Sequence, residues 1–319
     1  MVAAPPLLVI VGPTGVGKTA VAVRLAGTLS IEAVNADSRQ VYRGMDIGTG
    51  KPTWQEQAAL RHRLIDVVDP DERYHAARFR TDALAAIAEI GARGALPVVV
   101  GGTGLYVRAL LKGLHAAPPA DLALRRELDA YAAARGLPDL HARLAALDPD
   151  AARALHPNDQ LRVVRALEIR LLADFAEGDP GPRAAADWSR EVTGWRLVMI
   201  GLRRERAVLN RSLAERARAM ADRGMMDEVN TLLAKGYDEA LPAMGGIGYR
   251  QFAAALRGRM SADEALRLMI RDTCRYAKRQ MTWFSREPEV RWIDVDQAGG
   301  IEGAAESILK VVMQEGLIE

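Results

Sequence analysis

Residues Gly12-Pro13-Thr14-Gly15-Val16-Gly17-Lys18-Thr19 fit the pattern G-x-x-x-x-G-K-[ST] and follow the apolar run Leu7–Val11. No other feature of the chain narrows its fold as much. Four fixed positions over about 300 windows match by chance on the order of once in a hundred sequences of average composition. The context also fits, with a buried-strand pattern before the loop and a helical pattern, Lys18–Leu29, after it. In such a loop the backbone N–H groups converge on phosphate oxygens, and the helix N-terminus adds its positive end. Lys18 then balances a terminal phosphate, and Thr19 offers a hydroxyl to Mg²⁺. The loop selects a di- or triphosphate and does not by itself select ATP. The bland alternative is a glycine turn with no ligand.

The N-terminal third goes on alternating. Ile31–Asn35 reads as a second strand, Arg63–Val68 as a third, and the helical stretch Ala76–Arg93 leads to the apolar run Pro97–Val100. Short strands apolar on both faces, alternating with helices, predict an α/β fold: a P-loop NTPase-like core with a central parallel sheet flanked by helices. From Leu114 to Trp188 no strand-like run occurs. Helical patterns fill Ala120–Arg135, Asp139–Ala146, Asp150–Leu155 and Asn158–Phe175, bounded by Pro118–Pro119 and by Gly178–Pro182. Trp195–Leu202 reads as a returning strand, with helices from there to the end. The expected organisation is a core made of 1–113 and 189–319, with an all-helical domain inserted over 114–188.

Composition removes other classes. The chain has 319 residues, 49% of them hydrophobic and 26% charged, which excludes disorder and leaves material for a sizeable core. One cysteine, Cys274, excludes an internal disulfide, and with five scattered histidines it gives no zinc-site spacing. No apolar run approaches the ~20 residues of a membrane helix. Leu7–Val11 lacks the basic lead and cleavage site of a signal peptide. The expectation is a cytoplasmic protein with no membrane partner, acting as a monomer. The net charge of +2 says little, but six lysines stand against 37 arginines. Arginine is the better bidentate binder of phosphate; a biased genome accounts for the ratio equally well.

After the second strand comes Asn35–Pro52, which reads NADSRQVYRGMDIGTGKP. It is too rich in glycine and polar residues for a core. Loops at the carboxyl ends of parallel strands are where such folds bind ligands, so topology puts Asp37 near the phosphate loop. Its alternative reading is a helix N-cap.

This segment resembles the signature of the tRNA dimethylallyltransferases, or tRNA isopentenyltransferases. Further matches follow in family order: His62-Arg63-Leu64-Ile65-Asp66, Val100-Gly101-Gly102-Thr103-Gly104-Leu105-Tyr106, His156-Pro157-Asn158-Asp159 with Arg165-Ala166-Leu167-Glu168, Gly248-Tyr249-Arg250-Gln251, and Ala277-Lys278-Arg279-Gln280-Met281-Thr282-Trp283-Phe284. The resemblance runs over nearly the whole chain. It departs at Gly15-Val16, where the family usually reads Ala-Ser, and at Gly50, which replaces a usual alanine. Eukaryotic relatives carry a zinc finger that a single cysteine cannot supply, so the resemblance is to the bacterial form.

The resemblance implies transfer of the dimethylallyl group of dimethylallyl diphosphate to N6 of the adenosine just 3′ of the anticodon, in tRNAs reading codons that start with U. Diphosphate leaves. The phosphate loop, Gly12 to Thr19, then holds the donor diphosphate rather than ATP, with Lys18, Thr19 and Mg²⁺ meeting the charge of the leaving group. Arg216, in the helical pattern Leu209–Met220, matches a family arginine that reaches the diphosphate; pattern alone reads it as an exposed helix-face residue. Asp37 matches the general base that accepts a proton from N6, and Thr103 a residue on the RNA side of the site. By the same match, tRNA contacts are expected at Asp37, Ser38, Arg39 and Gln40, at Arg125, at Gln160, Leu161, Arg162, Val163 and Val164, and at Met244, Gly245, Gly246, Ile247, Gly248, Tyr249 and Arg250. The inserted domain is expected to grip the anticodon stem-loop, whose reacting base must be unstacked to be reached.

The C-terminal helical pattern adds an independent signal. Ser261 and Glu264 read as a capping box. Leu266, Met269, Ile270, Cys274, Ala277, Met281 and Phe284 form an apolar stripe, while Arg267, Arg271, Arg275, Lys278 and Arg279 lie along another face. With Arg162 and Arg165 this basic stripe reads as a phosphate-tracking surface; a solvated face is the alternative. Two rival functions remain open. A P-loop small-molecule kinase shares the loop but leaves the Asp37–Pro52 signature unexplained. A non-catalytic RNA-binding switch protein would sense nucleotide and transfer nothing.

Overall fold

The computed structural model describes residues 4–114, 117–172 and 194–318. Compactness divides the chain into two units, Met1–Gly113 with Val192–Glu319, and Leu114–Glu191.

In the first unit, six parallel strands are formed among the described residues: β1 (Pro6–Val11), β2 (Ile31–Asn35), β3 (His62–Arg63), β4 (Leu96–Gly101), β5 (Arg196–Arg203) and β6 (Val290–Asp294). Their order is β3-β2-β4-β1-β5-β6, and Val9 in the middle of β1 pairs with Val99 on one side and Met199 on the other. The helices are α1 (Lys18–Ala26), α2 (Trp54–Ala59), α3 (Ala76–Ala92) and α4 (Gly104–Lys112), then α9 (Arg206–Asp222), α10 (Met225–Ala234), α11 (Tyr249–Leu256), α12 (Ala262–Phe284) and α13 (Gly300–Gln314). Alternate residues of β1 enter two cores. Leu7, Val9 and Val11 pack with Phe79, Ile87 and Ile90 of α3 and with Phe252, Met269 and Phe284. Leu8 and Ile10 pack with Val21 and Leu25 of α1 and with Ile308 and Val312 of α13. A strand covered on both faces has no solvent side, so it carries an unbroken apolar run.

The connection from β1 to β2 passes over β4, and the connection from β4 to β5 passes over β1. The order therefore reverses between the carboxyl ends of β1 and β4, where open α/β sheets bind ligands. The phosphate loop leaves β1 at that point and the Gly101–Thr103 turn leaves β4.

Two elements differ from the sequence reading. The third strand is only His62–Arg63, because Leu64 and Asp66 take left-handed conformations (φ 64° and 55°) that break an extended run. Only an isolated parallel bridge, Tyr42 with Val68, continues the pairing. The C-terminal part is not all helix either, since Val290–Asp294 adds the edge strand β6 beside β5.

The second unit contains α5 (Leu122–Arg135), α6 (Leu137–Leu147), α7 (Pro149–Ala154) and α8 (Gln160–Leu172), around Leu128, Leu140, Leu144, Val163 and Leu167. The end of the expected Asn158–Phe175 helix and the Gly178–Pro182 break lie outside the described residues. The fully buried Glu168 accepts the Asp121 N–H (2.7 Å) and a bidentate pair from Arg125 (2.9 and 2.8 Å), and it also pairs with Arg165. Burial alone would raise its carboxyl pKa; the two guanidiniums and the Asp121 amide hold it below the usual carboxylate range instead.

That direction sets a pH window. A carboxyl with a depressed folded pKa stabilises the fold above its unfolded pKa, and the contribution is lost as pH falls through the folded value. Glu168→Gln should reduce protection of α5 and α8 amides against hydrogen exchange by the equivalent of about 1–2 kcal/mol at neutral pH. The gap to wild type should close in acid. Equal protection at neutral pH would remove Glu168 as the organiser of this unit.

Candidate active site

The phosphate loop needs glycine at Gly17 (φ 107°), the left-handed N-cap that turns the chain into α1. Lys18 Nζ donates to the carbonyls of Gly12 (3.0 Å) and Pro13 (2.8 Å). Burial pushes its pKa down to about 8, nearby Arg216 adds to the depression, and Asp37 opposes both. Arg216, on α9, is half-buried rather than the exposed residue that its helical pattern suggests. Burial lowers its pKa, and Asp37 and Glu56 are the anions that favour its charge. Its guanidinium lies over Gly50, where a Cβ would collide with it. Lys18, Arg216 and Asp37 are thus neighbours in the crevice, contributed by α1, α9 and the loop after β2.

The Asp37 side of the crevice is held by backbone. Ala36 N–H donates to Val100 O (2.8 Å) and Thr103 N–H to Ala36 O (3.2 Å). Gly101 permits this approach, since a Cβ there would run into the Ala36 backbone. The Thr103 hydroxyl then accepts the Ser38 N–H (3.0 Å) and lies 3.4 Å from Ser38 Oγ. Asp37 Oδ1 accepts Arg39 N–H (2.8 Å) and Gln40 N–H (3.4 Å), so the aspartate does cap its own turn. Its Oδ2 makes no hydrogen bond among the described residues and is left for the site.

Several site residues escaped the sequence reading. Tyr276 of α12 reaches the Thr103 hydroxyl and faces Asp37, and its phenol is pushed up to about 12, chiefly by burial. It sits one position before the quoted Ala277–Phe284 motif and off the apolar stripe. Glu228 of α10 accepts the N–H groups of Asp46 (2.9 Å), Ile47 (2.7 Å) and Gly48 (3.1 Å) and the Tyr249 hydroxyl (2.6 Å). Lys51, with a side chain only 5% exposed, donates to Tyr42 O (2.6 Å) and pairs with Asp46 (2.6 Å) and Asp66. Nothing in local periodicity marks these long-range partners.

Some expected RNA contacts are committed elsewhere. Val163, Val164, Met244 and Tyr249 are core side chains, so any contact with a ligand there falls to their backbone. Val16 is fully buried as well and offers the loop only its backbone. Arg39 donates to Pro242 O (2.7 Å) and Gln40 to Thr49 O (3.3 Å) and Gly50 O (3.1 Å). Arg125 is tied to Glu168, and Gln160 to Asp129 (2.8 Å). Leu161 is 82% exposed and Arg162 is exposed beside Asp159. On α12 only half of the expected capping box forms: Ser261 accepts the Glu264 N–H, while the Glu264 carboxylate faces Arg267 (3.6 Å). The basic stripe is exposed, but Asp272 within it pairs with Arg250, Arg271 (2.9 Å) and Arg275 (3.9 Å).

For a cation, the crevice offers the Thr19 hydroxyl and the Asp37 carboxylate. No group of three or more His, Cys, Asp or Glu is gathered for a metal among the described residues. A hydroxyl ligand with a carboxylate nearby to hold coordinated water suits Mg²⁺, which keeps several waters and takes further ligands from substrate phosphates. No described helix is long and apolar enough to cross a membrane.

The IPP transferase family profile matches residues 40–287 and the isopentenyl transferase profile residues 5–69. A tRNA dimethylallyltransferase of Desulforudis audaxviator is 45% identical over 315 residues, covering 99% of this chain and 100% of that protein. One from Geobacter metallireducens is 47% identical over 96% of each. Among solved structures, the tRNA isopentenylpyrophosphate transferase of Bacillus halodurans superimposes with a TM-score of 0.70 at 38% identity, over 98% of each chain. A eukaryotic dimethylallyltransferase acting on tRNA gives 0.79 at 25% identity, over 98% of this chain and 80% of that one.

Because the Lys18 pKa is lowered, a diphosphate bound beside it would be taken up together with a proton. An anion beside the ammonium favours its charged form and raises the pKa again. Below about pH 7 Lys18 is charged in both states; above about pH 8 binding must take up a proton, so affinity falls as pH rises. Calorimetry with inorganic diphosphate at about pH 8.5, in two buffers of different ionisation enthalpy, should show roughly half a proton more uptake than Lys18→Met does. Equal uptake by both proteins would place the anion away from Lys18.

Proposed function

The chain belongs to the IPP transferase family of tRNA-modifying prenyltransferases, and we propose that it moves the dimethylallyl group of dimethylallyl diphosphate onto N6 of the adenosine 3′-adjacent to the anticodon. The observation that carries this reading is the meeting of an anion cradle, Gly12–Thr19 with Arg216, and a hydroxyl-carboxylate pair, Thr103 and Asp37, in one crevice. The relatives favour it over a small-molecule kinase.

In this mechanism the donor diphosphate lies on the loop amides, with Lys18 and Arg216 against its oxygens. Thr19 would hold Mg²⁺, which when bound adds positive charge at the leaving group. The N6 lone pair is delocalised into the purine, so the amine is a weak nucleophile. Asp37 Oδ2 accepts one N6–H, orienting the amine and taking its proton as the new C–N bond forms. The allylic C–O bond breaks, and its electron pair leaves with diphosphate, where the fixed cations stabilise it. Thr103, held by Ser38 and Tyr276, contacts the RNA side. Leu161 and Arg162 on the helical unit, and Arg267, Arg271 and Arg275 on α12, follow the RNA.

Incubation with dimethylallyl diphosphate, Mg²⁺ and total tRNA, followed by nucleoside mass analysis, tests the activity directly. A prenylated adenosine is expected; its absence, with phosphoryl transfer from ATP instead, would favour the kinase. Asp37→Asn isolates the base, because asparagine caps a turn about as well as aspartate. Single-turnover transfer should fall about 10²–10⁴-fold, with both substrates bound within a few-fold and no recovery at high Mg²⁺. Recovery by Mg²⁺ would make Asp37 a metal ligand.

Arg267→Gln, Arg271→Gln and Arg275→Gln together should flatten the salt dependence of tRNA binding. For every arginine–phosphate pair removed, the log–log slope drops by somewhat under one unit. Asp272 already neutralises part of the stripe, so a fall of about one to two units is expected. An unchanged slope would return the stripe to solvent.

A further inference from the structure

Gln280 lies on α12 between residues anchored in the cores, Ala277 and Phe284, and is 5% exposed. Its Oε1 accepts the Thr14 N–H of the phosphate loop at 2.8 Å, and its Nε2 donates to Gly102 O at 2.8 Å. Thr14 supplies only a donor and Gly102 only an acceptor, so the amide orientation is forced by its partners. Gly102 has no left-handed φ, yet a Cβ there would run into this amide and lie 3.1 Å from Gly12 O. Its lack of a side chain makes room for Gln280 rather than easing the backbone. A core position would be filled as well by leucine or methionine, without the cost of burying an amide. The next residue after Gly102 is Thr103, whose hydroxyl holds the Asp37 loop through Ser38.

We propose that Gln280 is a positioning residue that sets the distance between the phosphate loop and the Gly102–Thr103 turn. Transfer between the two substrates then depends on it more than the binding of either one. This rests on the reading of the two loops as donor and acceptor sites. Reacting atoms misplaced by about 1 Å can lose on the order of a hundredfold in rate, and a strut between two loops controls that separation.

Two substitutions test it. Gln280→Leu removes both bonds at similar volume. Single-turnover transfer at saturating substrates should fall about 10- to 100-fold, while affinities for inorganic diphosphate and for an anticodon stem-loop RNA stay within about threefold. Gln280→Glu keeps the shape. Its protonated carboxyl can make both bonds, whereas its carboxylate cannot donate to Gly102 O. The transfer rate of Gln280→Glu relative to wild type should therefore recover as pH is lowered. A wild-type transfer rate in folded Gln280→Leu overturns the proposal. So does a loss confined to diphosphate affinity. If Gln280→Leu does not fold, a pH profile of Gln280→Glu parallel to wild type overturns it instead. Failure of wild-type protein to bind inorganic diphosphate is a different result, and overturns the donor-site reading itself.

Discussion

The site depends on the close contact of two backbones at the carboxyl ends of β2 and β4. Ala36 is hydrogen-bonded both to Val100 and to Thr103, and Gly101 leaves no side chain between them. This contact delivers Asp37 and Thr103 to the same side of the crevice before any substrate arrives. Groups positioned in advance need little reorganisation during reaction. The sheet supplies the rigidity: β1 and β4 are buried on both faces, and their ends move only if two cores move with them.

On that frame the chain sets Lys18 and Arg216 close to Asp37, with Arg223 and Glu56 also acting on Arg216. Burial and Arg216 disfavour the charge of Lys18, burial and Arg223 that of Arg216, and Asp37 favours both. Such a cluster is poorly neutralised by itself. A polyanion that brings more than one negative charge relieves the repulsion between lysine and arginine. The same carboxylate that tempers the cations also faces the tyrosine and threonine on the acceptor side. Asp37 is therefore the electrostatic hinge between the two halves of the site.

The elements nearest the phosphate loop were legible in the amino-acid order, because a doubly buried strand, a glycine loop and a helix start leave strong local signals. β1, β2 and β4 lie where their apolar runs predict. β3 was not legible: Arg63–Val68 reads as extended, yet Leu64 and Asp66 turn left-handed, and Asp66 pairs with Lys51. β6 hid because Val290–Asp294 is a short edge strand with charged and half-buried positions. Lys18 came from the phosphate-loop pattern, the place of Asp37 from topology, and the role of Thr103 from the family resemblance. Tyr276, Gln280 and Glu228 act through partners far away in the sequence, which no pattern along one helix reveals. Arg125 and Arg165 show the converse. Their types suit RNA, yet a single buried carboxylate claims both.

The nest of amides at Asp46, Ile47 and Gly48 is a ready-made receptor for a negative group, and Glu228 sits in it with Tyr249 steadying its carboxylate. The chain thus stoppers this receptor with its own side chain. The stoppered receptor works as a rivet, converting an attraction that would otherwise draw stray anions into a fastening between the signature loop and the helices behind it.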